Sequence, residues 1–197
     1  MRHLLFGSFF FLLASCSQPI KLIIVDNPTD ESITFQFGDG ETFTIDANKK
    51  ETFEVPFGKS TVIINGSETH EIDLDAEREY VLNPSLEDYY LQKIIYFMSA
   101  RAEKKYIEDY GEIKSEIDGR EVNGDFTKID GKLAIPKNWT YGLDEEPKEQ
   151  ATVKFAGGKT HVSTNKLHRQ KDLLAVIDLQ LQQSFQKLLD EIEAKKD

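Results

Sequence analysis

The chain has 197 residues, 39% of them hydrophobic and 11% aromatic. That is enough to bury the core of one domain or two small ones, and it excludes a compositionally disordered protein. The formal net charge is −11. A surface of that sign repels phosphate backbones and anionic headgroups, so no nucleic-acid partner is expected and membrane attachment would have to be apolar.

Met1-Arg2-His3 is a short basic start. The apolar run from Leu4 to Ala14 has the size of a signal-peptide core and falls short of the ~20 residues that cross a bilayer. The single cysteine, Cys16, closes this run, and the polar residues Ser17, Gln18 and Pro19 follow. The junction Leu13-Ala14-Ser15-Cys16 resembles the lipobox of bacterial lipoproteins. The resemblance implies a signal peptide over residues 1–15, cleavage before Cys16, lipid on its sulfur, and a lipidated tether over residues 16–19. Serine after the cysteine is similar to the outer-membrane default of such proteins. One acyl chain holds a protein to a bilayer marginally and several hold it stably, at about 0.8 kcal/mol per buried methylene.

The following residues predict a mainly β fold. Ile20 to Val25 reads as a first strand, apolar on both faces, closed by the turn cluster Asp26-Asn27-Pro28-Thr29-Asp30. From Ser32 to Phe37 the chain alternates, with Ile33, Phe35 and Phe37 on one face. Glu41–Ile45, Glu51–Val55, Thr61–Ile64 and Glu68–Leu74 continue the pattern, with turns at Gly38-Asp39-Gly40, Pro56-Phe57-Gly58 and Asn65-Gly66. A short strand at Glu79–Leu82 precedes Asn83-Pro84. Strands at this spacing, each with one apolar face, indicate an antiparallel β-sandwich-like domain over residues 20–98. Tyr89 to Phe97 is rich in aromatic and β-branched residues and favours a strand. Ser85 with Asp88 nevertheless resembles a capping box, and Leu86, Tyr90, Ile94 and Phe97 fit helical spacing.

Residues 99–118 carry a charge at every second position on average and read as a solvated short helix or connector. Residues 119–197 read as further β hairpins plus a C-terminal helix packed on the same body. Turns fall at Asp118-Gly119, Asn123-Gly124 and Asp130-Gly131. Trp139 and Tyr141 sit in a loop ending near Pro147. Ala151–Phe155 and Thr160–Ser163 look like a hairpin around Gly157-Gly158. One long amphipathic helix is predicted from about Leu167 to Ala194. Its stripe is Leu174, Ile177, Leu181, Phe185, Leu188 and Ile192, and Lys195 and Lys196 complement its C-terminal dipole. The stripe is expected to cover the protein's own sheet, which needs one face buried.

The candidate chemistry is sparse. Gly58-Lys59-Ser60 and Gly158-Lys159-Thr160 end like phosphate loops, but Phe53 and Val153 occupy the positions of the required glycine, so hairpin turns explain them better. His70 would share a strand with Glu71 and Asp73 yet point to the opposite face, and His161 and His168 lie across a strand-to-helix boundary, so no metal site is expected. Ser163 with Lys166, and Ser184 with Lys187, fit a short Ser-x-x-Lys pattern without its companion motifs. Asp26 with Asp30, or Asp39 with Glu41, read as solvated acidic turns rather than calcium loops. No catalytic set or cofactor is expected. Trp139 and Tyr141 are the candidate ligand contacts, since aromatics in a loop stack on sugars or partners when they do not plug a core.

Val25-Asp-Asn-Pro-Thr-Asp30, Pro56-Phe-Gly58, Leu82-Asn-Pro84, Ile135-Pro-Lys-Asn-Trp139 and Tyr141-Gly-Leu-Asp-Glu145 resemble a group of uncharacterised exported bacterial lipoproteins. The first half is also similar in outline to small carbohydrate-binding or transthyretin-like sandwiches. No functional residue except Cys16 carries over from these resemblances. The expectation is a membrane-anchored envelope lipoprotein acting as a non-enzymatic binding module with a protein or glycan partner. The alternatives are an assembly component using the C-terminal helix or an open strand edge, and a glycan-binding or glycan-processing accessory protein.

Overall fold

The computed structural model of the chain describes residues 20–155 and 157–194. The leader, Cys16 and its tether, and the lysines at 195 and 196, lie outside the described residues. The fold is mainly β, with several antiparallel sheets and one long C-terminal helix.

Two four-stranded sheets form the sandwich. In the first, β1 (Ile20–Asn27) and β4 (Lys49–Pro56) pair antiparallel, β7 (Tyr80–Leu82) lies parallel to β1, and β12 (Ala134–Pro136) closes the β7 edge. The second joins β2 (Ile33–Phe37), β3 (Thr42–Ile45), β5 (Gly58–Ile64) and β6 (Glu68–Leu74) in the order β3-β2-β5-β6. Alternation puts Ile23, Val25, Val55 and Leu82 of the first sheet against Phe35, Phe37, Ile45, Val62, Ile64 and Leu74 of the second. Phe35, Phe43 and Phe53 meet at ring-centroid distances of 5.3–5.4 Å. Asn65-Gly66 makes the predicted hairpin with φ of 49° and 69°, the left-handed pair such a turn requires.

A third sheet lies on the outer face of the first. It runs β11-β8-β13, with β8 (Tyr89–Phe97) central between β11 (Asp125–Ile129) and β13 (His161–Arg169). Tyr89 and Leu167 on one of its faces pack with Val81 and Ile135 of the first sheet. Tyr90 on the other face packs with Ile117, Leu173 and Ile177. Those residues come from the hairpin of β9 (Lys114–Ile117) and β10 (Arg120–Asn123) and from helix α2 (Gln170–Glu193). The order of layers is therefore sheet, sheet, sheet, then hairpin and helix.

Within residues 86–98 the structure forms a strand, β8 over Tyr89–Phe97, and no helix. The aromatic and β-branched side chains of β8 are flanked on both sides, so their β preference outweighs the helical spacing. The charged stretch 99–118 divides into α1 (Ala100–Tyr110), capped by the Ser99 hydroxyl accepting from the Ala102 N–H, and strand β9. Three expectations change. Ala151–Phe155 is not a strand: Gln150–Thr152 is a single 3₁₀ turn, and the partner of β13 is β8, paired along its whole length. Leu167–Arg169 belong to that strand, so the helix begins at Gln170. Gly58-Lys59-Ser60 opens β5 and is no turn, while Gly158-Lys159-Thr160 does precede a strand.

Candidate functional site

The loop after β12 is laid along β13. The Thr140 and Tyr141 N–H groups both donate to the Asn165 carbonyl, at 2.8 and 3.0 Å, and the Leu167 N–H donates to the Tyr141 carbonyl at 3.0 Å. This short parallel bridge sends the neighbouring aromatics to different places. Tyr141 is buried. Trp139 is half-buried against Val81, Tyr89, Ile135 and Leu167, and its free edge lines an open cleft of about 180 Å³ with Ile24, Lys50, Glu79, Lys137, Leu143 and Glu145. The two residues expected to share a ligand surface therefore do not share one.

The polar groups of the cleft are occupied by one another. Lys137 contacts Glu79 at 2.5 Å, Lys50 contacts Asp144 at 2.5 Å, and the Glu145 carboxylate accepts the Gly142 N–H at 2.7 Å. A cavity this small and this self-satisfied leaves few groups to orient a ligand.

Behind the cleft lies a cluster that sequence reasoning misread. Asp26 was expected in a solvated acidic turn, yet it is fully buried at the end of β1. Arg169 grips it with two hydrogen bonds, Nε to Oδ2 at 2.8 Å and Nη2 to Oδ1 at 2.6 Å, and the Tyr89 hydroxyl donates to Oδ2 at 2.5 Å. The Arg169 Nη1 reaches Asp144 and Asp172, each at 2.9 Å. Burial works against the Arg169 charge, but the three carboxylates outweigh it and hold the guanidinium above its ordinary range. Burial, then the charge of Asp26, pushes the Tyr89 phenol up. Nearby, Lys171 bonds Asp30 at 2.7 Å and Asn48 at 2.8 Å. These contacts join β1, β8, β13 and the start of α2, and they use every strong charge in place, so the cluster holds the layers together.

The remaining candidates are dispersed. Glu71 and Asp73 are exposed, and His70 is half-buried on the other face of β6. His161 sits against the rings of Phe97 and Tyr106. His168 lies 2.9 Å from Gln92, and burial, reinforced by Lys166, lowers its pKa to about 4. Ser184 donates to the Gln180 carbonyl at 2.8 Å, one helical turn back, and Lys166 is buried beside the loop carrying Glu146. Asp39 and Glu41 are exposed at a hairpin tip. Among the described residues no group of three or more His, Cys, Asp or Glu is arranged to hold a metal, and no helix is long and apolar enough to cross a membrane.

The long helix supplies the largest departure. Leu173 and Ile177 are buried and Leu174 packs beside them, but the stripe does not stay covered. Leu181, Phe185 and Leu188 are each more than half exposed, Ile192 nearly so, and Val176 and Leu179 flank them in solvent. Close packing stops at Ile177: Leu181 and Ser184 stand across an open groove from Val122, Asn123 and Phe126, and the helix then runs past the body, so the expectation that the whole stripe covers the protein's own sheet fails beyond Ile177. Compared with known protein families, with curated proteins and with solved structures, the chain matches none.

Proposed function

We propose that the protein is a bacterial envelope lipoprotein, anchored through lipid on Cys16 in the outer membrane, whose body is a non-enzymatic interaction module that docks a partner protein through α2. The observation that carries this reading is the apolar stripe of α2 continuing past the body into solvent. Burying a leucine or phenylalanine is worth about 1.5–3 kcal/mol, so a face holding Leu181, Phe185, Leu188 and Ile192 is a large uncovered driving force. Its shape suits a partner helix or a hydrophobic groove, read through anchors three and four residues apart. The lipobox resemblance supports the anchor.

The test is purification from solubilised native membranes. A stoichiometric partner should be retained by the parent and by a Glu71→Lys control, and lost from Leu181→Glu/Phe185→Glu at unchanged melting temperature. A partner equally retained by the double variant overturns the docking role, and turnover of an envelope substrate overturns the non-enzymatic reading. Replacing Cys16 with serine should move the protein to the soluble fraction; continued membrane association overturns the anchor.

A second reading, a glycan-binding accessory protein, draws on Trp139 lining the cleft. The mutual pairing of the cleft's charges and the burial of Tyr141 weigh against it. Loss of glycan retention in Trp139→Ala would favour it.

A further inference from the structure

Strand β1 pairs with β4 along its whole length but with β7 only at Ile24 and Val25, and its two faces depend on the neighbouring layers for cover. On the inner face its side chains are covered: Ile23 and Val25 are in the sandwich core. On the outer face the cover stops. Asp26 is enclosed by Arg169 and Tyr89, and Ile24 lines the Trp139 cleft, but Leu22 is 65% exposed and Ile20 61%. The third sheet and its loops do not reach that end of the strand. Across β4 the same face continues with Glu54 opposite Leu22 and Pro56 opposite Ile20.

We infer that this end of β1 is a seat for lipid, resting on the headgroup–acyl boundary of the bilayer that holds Cys16. The inference rests on the anchored reading above. It is argued from the length of chain between the anchor and the strand. Cys16 and Ile20 are four residues apart, so their Cα atoms are at most about 14 Å apart even when fully extended. The polar layer on each side of a bilayer is roughly 5–8 Å deep. A tether this short lets Ile20 and Leu22, four and six residues from Cys16, settle at the interface when it lies along the surface, whereas full extension away from the bilayer would hold both above that layer. An acidic body gains nothing from anionic headgroups, so apolar contact is the means left for it to lie in one orientation.

The seat has a consequence for the partner. Ile20 and Asp26 are six residues apart along β1, about 20 Å at strand rise. Arg169, which grips Asp26, immediately precedes α2. With Ile20 at the lipid surface, α2 therefore starts at the end of β1 farthest from the tether.

The experiment uses full-length acylated protein in phosphatidylethanolamine vesicles with brominated acyl chains. The acylated Cys16 sulfur does not react, so Leu22→Cys can be labelled alone with an environment-sensitive fluorophore. Leu22 is exposed, which makes the substitution compatible with the fold. Mass spectrometry first confirms acylation. The expected result is blue-shifted emission at position 22, quenched at least about twofold more strongly by the brominated lipid than the same label at Glu71→Cys. Equal quenching at both positions in acylated protein overturns the seat and leaves the anchor standing. A label at 22 already shielded in the soluble Cys16→Ser form overturns it in favour of cover by protein, from the chain's own N-terminal residues or a second copy. An unacylated Cys16 overturns the anchor and the seat together.

Discussion

Asp26→Ala should cost the fold about 3 kcal/mol, because it strips a buried guanidinium of its principal partner. The removed carboxylate accepts three hydrogen bonds, at 2.5, 2.6 and 2.8 Å, from Tyr89 and Arg169. Breaking one side of a buried ion pair costs about 3–5 kcal/mol, most of it the penalty of leaving the other charge uncompensated. Arg169 keeps Asp144 and Asp172 on Nη1, both half-exposed, which places the expectation at the low end of that range. In a protein of this size each kcal/mol moves the melting temperature by about 2–4 °C, so a fall of about 6–12 °C is expected. Urea unfolding followed by circular dichroism gives the free energy. Fluorescence of Trp139, the one tryptophan, packed against Tyr89, gives a second probe at the same place. Asp26→Leu/Arg169→Met should recover part of the loss, since the apolar pair leaves no buried charge uncompensated, although the Tyr89 hydroxyl still lacks its acceptor. A loss below about 1 kcal/mol in Asp26→Ala, or a double variant no better than the single, would refute the idea that this charge pair locks the layers.

The other expectations test separate parts of the structure. His168, with its pKa lowered to about 4, stays neutral in the fold while the unfolded chain takes up a proton near pH 6.5. Stability from this residue is thus complete above about pH 6.5 and lost as pH falls towards 4, by about 1–2 kcal/mol once its part-exposed edge is allowed for. His168→Gln should flatten that share of the pH dependence in urea melts at pH 7 and pH 4.5, and an unchanged slope would count against it. Leu173→Ala should destabilise by about 2–4 kcal/mol, whereas Leu188→Ala on the same helix should cost under about 1 kcal/mol in the isolated protein; equal costs would mean that the outer stripe is covered. Asn27→Ala should cost about 2–3 kcal/mol, because its amide donates to the Glu31 carbonyl at 2.7 Å and its oxygen accepts from the Thr29 hydroxyl at 2.6 Å. A thermal shift of less than about 3 °C would contradict that role.

The sandwich was legible because its strands obey a local rule: Ile33, Phe35 and Phe37 alternate, and Asn65-Gly66 announces its own turn. The Asn-Pro turns were legible as turns, but not as twins. Asn27-Pro28-Thr29 and Asn83-Pro84-Ser85 end the parallel neighbours β1 and β7. In each, the asparagine oxygen accepts a hydroxyl at 2.6 Å and the amide donates to the carbonyl four residues on. What stayed hidden depends on distance along the chain. Asp26 and Arg169 are 143 residues apart, and an aspartate beside Asn-Pro looks like any solvated turn acid. One local signal did exist. Asp26 continues the face of Ile20, Leu22 and Ile24, so extending the strand by one residue would have placed a carboxylate on an apolar face and demanded a partner for it. The hairpin expected around Gly157-Gly158 failed for the same reason, since β13 takes its partner from β8 across the intervening chain.

Helix α2 shows why amphipathic pattern and cover are different facts. A 3.6-residue stripe states that a face wants burial, but not whose surface buries it. The first turns of α2 answer with Ile117, Tyr90 and the Arg120–Asp178 ion pair. Beyond Ile177 the same stripe continues in sequence, but it first stands across an open groove from Val122 and Phe126 and then runs into solvent. A helix without tertiary contact is marginal in water, because most helical stability in proteins comes from packing its apolar face. The outer half of α2 therefore needs a surface that this chain does not supply among its described residues. The uncovered stripe thus connects the sequence pattern, the limit of the fold and the proposed docking role.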